Sequence, residues 1–165
     1  IKFEKFVDKS LENFFNIEII KNIYPNAKFI HTFRNPLDSA ISIYQSMLPD
    51  LSWTHNIEDI LLYMDHYHKV LEYFKSKYPE IIMDINLEEF TEKSEELAKK
   101  MFKFCGLSWN ENIYNFYKRR DLYSKTLSFN QIRSKVLKYD DKKYQSYFNI
   151  LNDYKDKYQW LDLSK

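Results

Sequence analysis

The chain has 165 residues, enough for one domain, and 44% of them are hydrophobic, which suffices for a sizeable core. Its 25 basic and 24 acidic residues leave a net charge of +1, so no global field favours nucleic acid or an anionic membrane as a partner. The single cysteine, Cys105, excludes a disulfide framework, and no apolar run has the length of a signal peptide core or a transmembrane helix. We therefore expect one domain over residues 1–165 in a reducing, cytoplasmic compartment.

Apolar periodicity divides the chain into helices and two short β-rich runs. Ser10 is a candidate N-cap of the first helix, Asn35-Pro36 is a typical helix start, and Gly106 is a typical helix end. In chain order, the predicted elements are helix 11–24, strand 28–33, helix 36–48, helix 57–78, a strand within 80–87, helix 94–104, helix 110–119, loop 125–139 and helix 140–160. Because parallel strands need crossover helices, this order predicts an α/β fold with a parallel sheet flanked by helices.

Arg34 and Ser42 stand eight residues apart across the junction between the first strand and the next helix. In a parallel α/β sheet, ligands bind at the carboxyl ends of the strands, and a helix that begins there offers free N–H groups to an anion. A forked guanidinium and a hydroxyl at this place suit a phosphate. On the spacing alone, a surface ion pair at Arg34 and a helix-surface position at Ser42 are the commoner explanation.

The longer stretch YPNAKFIHTFRNPLDSAISIYQ, residues 24–45, resembles the 3′-phosphate-binding segment of sulfotransferases that use 3′-phosphoadenylyl sulfate (PAPS). It is most similar to the branch with bacterial tetratricopeptide-linked enzymes and the protein-tyrosine sulfotransferases. The resemblance implies a P-loop-NTPase-like fold and transfer of a sulfuryl group from PAPS to a hydroxyl or amine acceptor, without a metal. It also implies that Arg34 and Ser42 hold the 3′-phosphate.

Three further stretches match the same family in the expected order, from about residue 7 to about residue 145. The stretch VDKSLENFFNIEIIKNIYPNAKFI contains the family's Asp-Lys pair, and this match implies that Lys9 is the catalytic cation at the oxygen that leaves the sulfur. The stretch IIMDINLEEFTEKSEELAKKMFKFCGLSW resembles the family's strand, acidic turn and helix ending in Gly-Leu-x-Trp. The stretch YKRRDLYSKTLSFNQIR resembles a segment that approaches the nucleotide from the opposite side, which implies nucleotide contacts from Ser128, Gln131 and Arg133.

Two places depart from the family pattern on the adenine side of the site. A tyrosine that often precedes the acidic pair is Leu87 here, followed by Glu88 and Glu89. Where the family often has Ser-x-Gly-Lys/Arg-Trp, this sequence reads DDKKYQ. Lys143 therefore matches the basic position and is expected to bind the nucleotide, while Tyr144 takes the aromatic position.

The family's Gly-rich loop, which cradles the 5′-phosphosulfate, has no counterpart in the sequence. Such a loop needs several glycines, because the backbone must approach phosphate closely, and the chain has one, Gly106. The family's candidate catalytic base usually lies in the same portion. We therefore expect a partial domain that depends on an N-terminal segment of the same protein, and we expect residues 1–165 to be inactive by themselves.

Positive charge is concentrated over residues 118–143, where nine Lys or Arg outnumber three Asp and leave a net +6. A basic wall complements the several negative charges of PAPS, although a solvated charged face is the alternative explanation. Nucleic-acid binding is disfavoured by the near-neutral total charge.

An inactive sulfotransferase-like module that binds a nucleotide or a partner protein remains the alternative to an enzyme. The histidines favour no metal site, since His66 and His68 diverge on a helix and His31 is expected to be satisfied by its neighbours. The sequence leaves the acceptor open among peptide tyrosine, carbohydrate, lipid and small molecules.

Overall fold

The computed structural model describes residues 5–119 and 133–162. Over these ranges it is built from two parallel strands, α-helices and short 3-10 helices. In chain order the elements are the 3-10 helix Asn13–Asn16, α1 Ile17–Ile23, β1 Phe29–Phe33, α2 Pro36–Ser46, the 3-10 helix Ser52–His55, α3 Ile57–Lys77, β2 Ile82–Asn86, α4 Leu87–Glu92, α5 Ser94–Phe104, and the 3-10 helices Glu111–Lys118 and Gln145–Tyr154. None of the helices in these ranges has the length and apolarity needed to cross a membrane.

The two strands pair in parallel, with a register that runs from Phe29 opposite Ile82 to Phe33 opposite Asn86. Helices α2 and α3 form the crossover between them, as a parallel pair requires. The predicted α/β class is therefore confirmed, with a small two-stranded parallel sheet flanked by helices.

The junction between β1 and α2 forms as its sequence predicts. The side chain of Asn35 accepts a hydrogen bond of 2.8 Å from the backbone N–H of Leu37, and Pro36 occupies the first helical position, where its missing N–H costs nothing. A side-chain carboxylate adds to this cap, because the backbone N–H of Asn35 donates to Oε1 of Glu88 over 2.7 Å. The acidic turn after β2 thereby fixes the loop after β1.

A hydrogen-bonded network on the sheet fastens both strands to α3. Nδ1 of His31 lies 2.7 Å from Oδ1 of Asp84, its partner in the strand register, and Nζ of Lys75 lies 2.7 Å from the other oxygen of Asp84. The hydroxyl of Tyr67 bonds to Nε2 of His31. Burial lowers the pKa of His31 and outweighs the hydrogen bond to Asp84, so the neutral ring donates at Nδ1 and accepts at Nε2. The prediction that neighbours satisfy this strand histidine is confirmed.

The main core lies between α2, α3 and the C-terminal segment. Its buried members are Leu37, Ala40, Ile41, Ile60, Leu61, Met64, Tyr144, Leu151 and Leu161. Three of these come from beyond residue 140, so burial of apolar surface holds the C-terminal segment against α2. This packing brings residues 139–144 next to the β1–α2 junction.

Three predicted helices take a different form, and the one predicted over 110–119 is the 3-10 helix Glu111–Lys118. The helix predicted over 11–24 is a short 3-10 turn followed by α1, and its expected apolar face stays exposed at Ile19 and Ile23, while Ile17 is buried against α3. The helix predicted over 140–160 is a 3-10 helix over Gln145–Tyr154. Its Ser, Asn, Asp and aromatic residues have low α-helix propensity, so tertiary packing rather than local preference decides its form.

Candidate functional site

A cavity of about 310 Å³ opens where the carboxyl ends of the two strands meet. This is the place where ligands bind in open α/β sheets. The cavity is lined by Phe33, Arg34, Asn35, Pro36, Asn86, Glu88, Trp160 and Asp162. Its walls thus combine two aromatic rings, one guanidinium, and amide and carboxyl groups.

Arg34 lies at the rim of this cavity and folds back over the first turn of α2. Its Nε donates to Oγ of Ser39 over 3.3 Å, and Nη2 donates to the backbone carbonyl of Asp38 over 3.4 Å. The guanidinium carbon also lies 5.7 Å from the centre of the Tyr144 ring. Both hydrogen bonds are longer than charge-assisted contacts, which measure about 2.7–2.9 Å, so an incoming anion can compete for the guanidinium.

Ser42 and Lys143 meet at the phenol oxygen of Tyr144. Both side chains hydrogen-bond to this phenol, and Nζ of Lys143 lies 4.9 Å from the centre of the ring. Burial by itself would raise the pKa of Tyr144, but these hydrogen bonds and the charges of Lys143 and Arg34 outweigh it and lower that pKa. Three residues predicted from the sequence, Arg34, Ser42 and Lys143, therefore converge on one side chain.

Of the other predicted site residues, Lys9 does not join this cluster. Lys9 is exposed in the irregular segment before the first helical turn, and no described hydrogen bond or ion pair holds its side chain. Its neighbour Asp8 orders the segment instead, by accepting hydrogen bonds from Ser10 over 2.8 Å and from Asn13 over 3.2 Å. Ser128 and Gln131 lie outside the described residues. A nucleotide contact from Arg133 stays a prediction.

A second pair of side chains, which was not predicted from the sequence, links the C-terminal segment to α2. Asp38 is only 1% exposed, and the hydroxyl of Tyr139 donates to its Oδ2. The backbone N–H of Tyr139 donates to Oγ1 of Thr91 over 3.0 Å, which links the same residue to α4. Burial and the adjoining carboxyl group of Asp38 raise the pKa of Tyr139. An aspartate in the first turn of a helix is so common that the sequence carries no signal of this pairing.

The fold and the site define an α/β protein with a cavity at the strand ends and a cluster of two cations and a hydroxyl around Tyr144. A family model described as the sulfotransferase family matches residues 2–111, and the chain belongs to this family. Membership implies a P-loop-like fold.

A protein of Aquifex aeolicus, which bears the name "Uncharacterized protein", is also similar to the chain. The two are 31% identical over 158 residues, which covers 89% of this chain and 20% of the relative. The chain thus spans about a fifth of the length of this relative.

Proposed function

We propose that the chain binds the 3′-phosphate end of PAPS and serves in transfer of its sulfuryl group to a hydroxyl or amine acceptor. The observation that carries this proposal is the convergence of Arg34, Ser42 and Lys143 on the side chain of Tyr144. Two cations and a hydroxyl are the groups that hold a phosphate dianion, and the guanidinium adds forked geometry. The family match over residues 2–111, which includes Arg34 and Ser42, agrees with this assignment.

Sulfuryl transfer breaks the bond between sulfur and the bridging oxygen of PAPS, while an acceptor oxygen or nitrogen bonds to the sulfur. Negative charge grows on the bridging oxygen, so a cation there stabilises the transition state more than the ground state. We propose Lys9 for this catalytic role. In a protein that includes the expected N-terminal segment, a Lys9→Ala variant that keeps kcat but loses affinity for the nucleotide would assign Lys9 to ground-state binding instead.

The remaining nucleotide contacts are proposed for Ser128, Gln131 and Arg133, opposite the 3′-phosphate cluster. This assignment rests on the match of their segment to the family pattern. PAPS is then the nucleotide ligand of the site, and the class of acceptor stays open.

A comparison of two nucleotides tests the binding part of the proposal. Isothermal titration calorimetry would measure 3′-phosphoadenosine 5′-phosphate (PAP), the desulfated product, beside adenosine 5′-phosphate, which lacks the 3′-phosphate. Because charge-assisted hydrogen bonds contribute about 1.5–3 kcal/mol each, we expect PAP to bind at least tenfold more tightly. Equal affinities would contradict the proposal, and PAP binding without turnover of PAPS in a protein that includes the expected N-terminal segment would identify an inactive module.

A further inference from the structure

We propose that Tyr144 is a further binding residue of this site and that its hydroxyl donates a hydrogen bond to the phosphate held by Arg34, Ser42 and Lys143. The inference rests on the proposed function, because it concerns the same phosphate. The family pattern often has tryptophan at this position, and an indole places no hydroxyl there. The contact is therefore a property of this sequence, which has tyrosine.

The ring of Tyr144 is fixed, so its hydroxyl is fixed as well. The residue is 6% exposed and belongs to the core between α2 and α3, where it packs with Leu37 and Ile41. The guanidinium of Arg34 covers one side of the ring. A buried ring in a close-packed core cannot swing away when a ligand arrives.

The position of this oxygen follows from its two donors. Ser42 and Lys143 both hydrogen-bond to the phenol of Tyr144, and Nζ of Lys143 lies 4.9 Å from the centre of its ring. A phosphate that contacts both donors then lies beside the phenol, and its hydroxyl can donate to that phosphate. In the free protein these donors are preorganised by their hydrogen bonds to Tyr144. In the complex they hydrogen-bond to the phosphate instead.

The phenol carries one proton of its own to offer to the phosphate. A lysine ammonium can only donate, so the phenol oxygen accepts from Lys143 and keeps its own O–H for another acceptor. The charged and titratable groups that face it are Arg34 from the β1–α2 loop and Lys143 from its own segment, with the hydroxyl of Ser42 from α2. Together these groups hold the pKa of Tyr144 below its ordinary value.

Binding of the phosphate is therefore coupled to the phenol proton. A phosphate dianion next to the phenol disfavours the phenolate, so PAP raises the pKa of Tyr144. By linkage, affinity for PAP is highest where the phenol is protonated and falls as the pH rises through the pKa of the unliganded protein. Adenosine 5′-phosphate lacks the 3′ group and should show no such fall.

The test compares wild type with Tyr144→Phe, which keeps the ring and removes the hydroxyl. Calorimetric Kd values for PAP and adenosine 5′-phosphate would be measured from pH 7 to 9.5, below the range where free lysine loses its proton. At pH 7 we expect Tyr144→Phe to weaken PAP binding about tenfold and to leave adenosine 5′-phosphate unchanged. We also expect the alkaline fall in PAP affinity to disappear. Tyr147→Phe is the matched control, since Tyr147 is an exposed tyrosine three residues away.

A spectroscopic measurement on the unmutated protein keeps the inference testable if Tyr144→Phe fails to fold. Addition of PAP at pH 9.5 should decrease the tyrosinate absorbance near 295 nm, because the ligand returns a proton to the phenol. An unchanged absorbance, or a Tyr144→Phe variant with the wild-type Kd and pH profile, would overturn the role of Tyr144 while PAP selectivity persists. Loss of PAP selectivity in the wild type would instead overturn the proposed function.

Discussion

Replacing Arg34 by alanine is expected to weaken PAP binding by about 2–3 kcal/mol, or roughly 30- to 140-fold. The guanidinium lies at the carboxyl end of β1, where the proposed 3′-phosphate binds, and its present hydrogen bonds to Ser39 and Asp38 are long. Adenosine 5′-phosphate should lose much less, because it lacks the group that Arg34 contacts. Calorimetric titration of both nucleotides measures the difference.

Two control variants separate geometry from charge in the Arg34 experiment. Arg34→Lys keeps the charge but loses the forked donors and the stacking on Tyr144, so we expect an intermediate loss. Lys138→Ala removes one cation from an exposed ion pair with Glu92, at 3.7 Å, and should change PAP affinity little. If Arg34→Ala weakened both nucleotides equally, Arg34 would not recognise the 3′-phosphate.

The parts of the fold that were predictable from sequence are those encoded by local chemistry. The β1–α2 junction follows from Asn35 and Pro36, whose capping preferences act within four residues. The long α3 follows from helical periodicity and is observed over Ile57–Lys77, close to the predicted 57–78. These signals are short-range, so they need no knowledge of the rest of the chain.

The parts that were not predictable depend on contacts between distant segments. Tyr139 and Asp38 are 101 residues apart in sequence, and neither residue type has a local preference that indicates the other. The same applies to Trp160, which ends the predicted helix 140–160 but lines the cavity from beyond the observed 3-10 helix Gln145–Tyr154. Only the packing of the C-terminal segment on α2 brings such residues together, and apolar burial is not directional.

Only part of the site was predictable, because some of its residues come from distant segments of the chain. Arg34 and Ser42 stand on one continuous strand–turn–helix unit, so their spacing already places them near one another. Lys143 was identified by its match to the family pattern, and its meeting with Ser42 emerges in the structure. Lys9 stays a prediction, since it is exposed on an irregular segment with no described partner to orient it.

Replacing Tyr139 by phenylalanine is expected to lower the free energy of unfolding by about 2–3 kcal/mol. The change removes one oxygen, but that oxygen is the donor to Oδ2 of Asp38, whose side chain is almost completely buried. The other oxygen of Asp38, Oδ1, has no hydrogen-bond partner in the part of the chain that the structure describes. The variant would therefore leave a buried carboxyl group without its donor, which costs more than the net contribution of an ordinary hydrogen bond.

Urea unfolding of two further variants distinguishes this cause from a general loss of packing. In the Tyr139→Phe background, Asp38→Asn should restore part of the stability, because a neutral amide is less costly to bury than a carboxylate. Tyr147→Phe removes the hydroxyl of an exposed tyrosine and should change stability by less than about 0.5 kcal/mol. A Tyr139→Phe variant as stable as Tyr147→Phe would show that Asp38 does not depend on this hydroxyl. The buried pair would then contribute little to holding the C-terminal segment, with Lys143 and Tyr144, against α2.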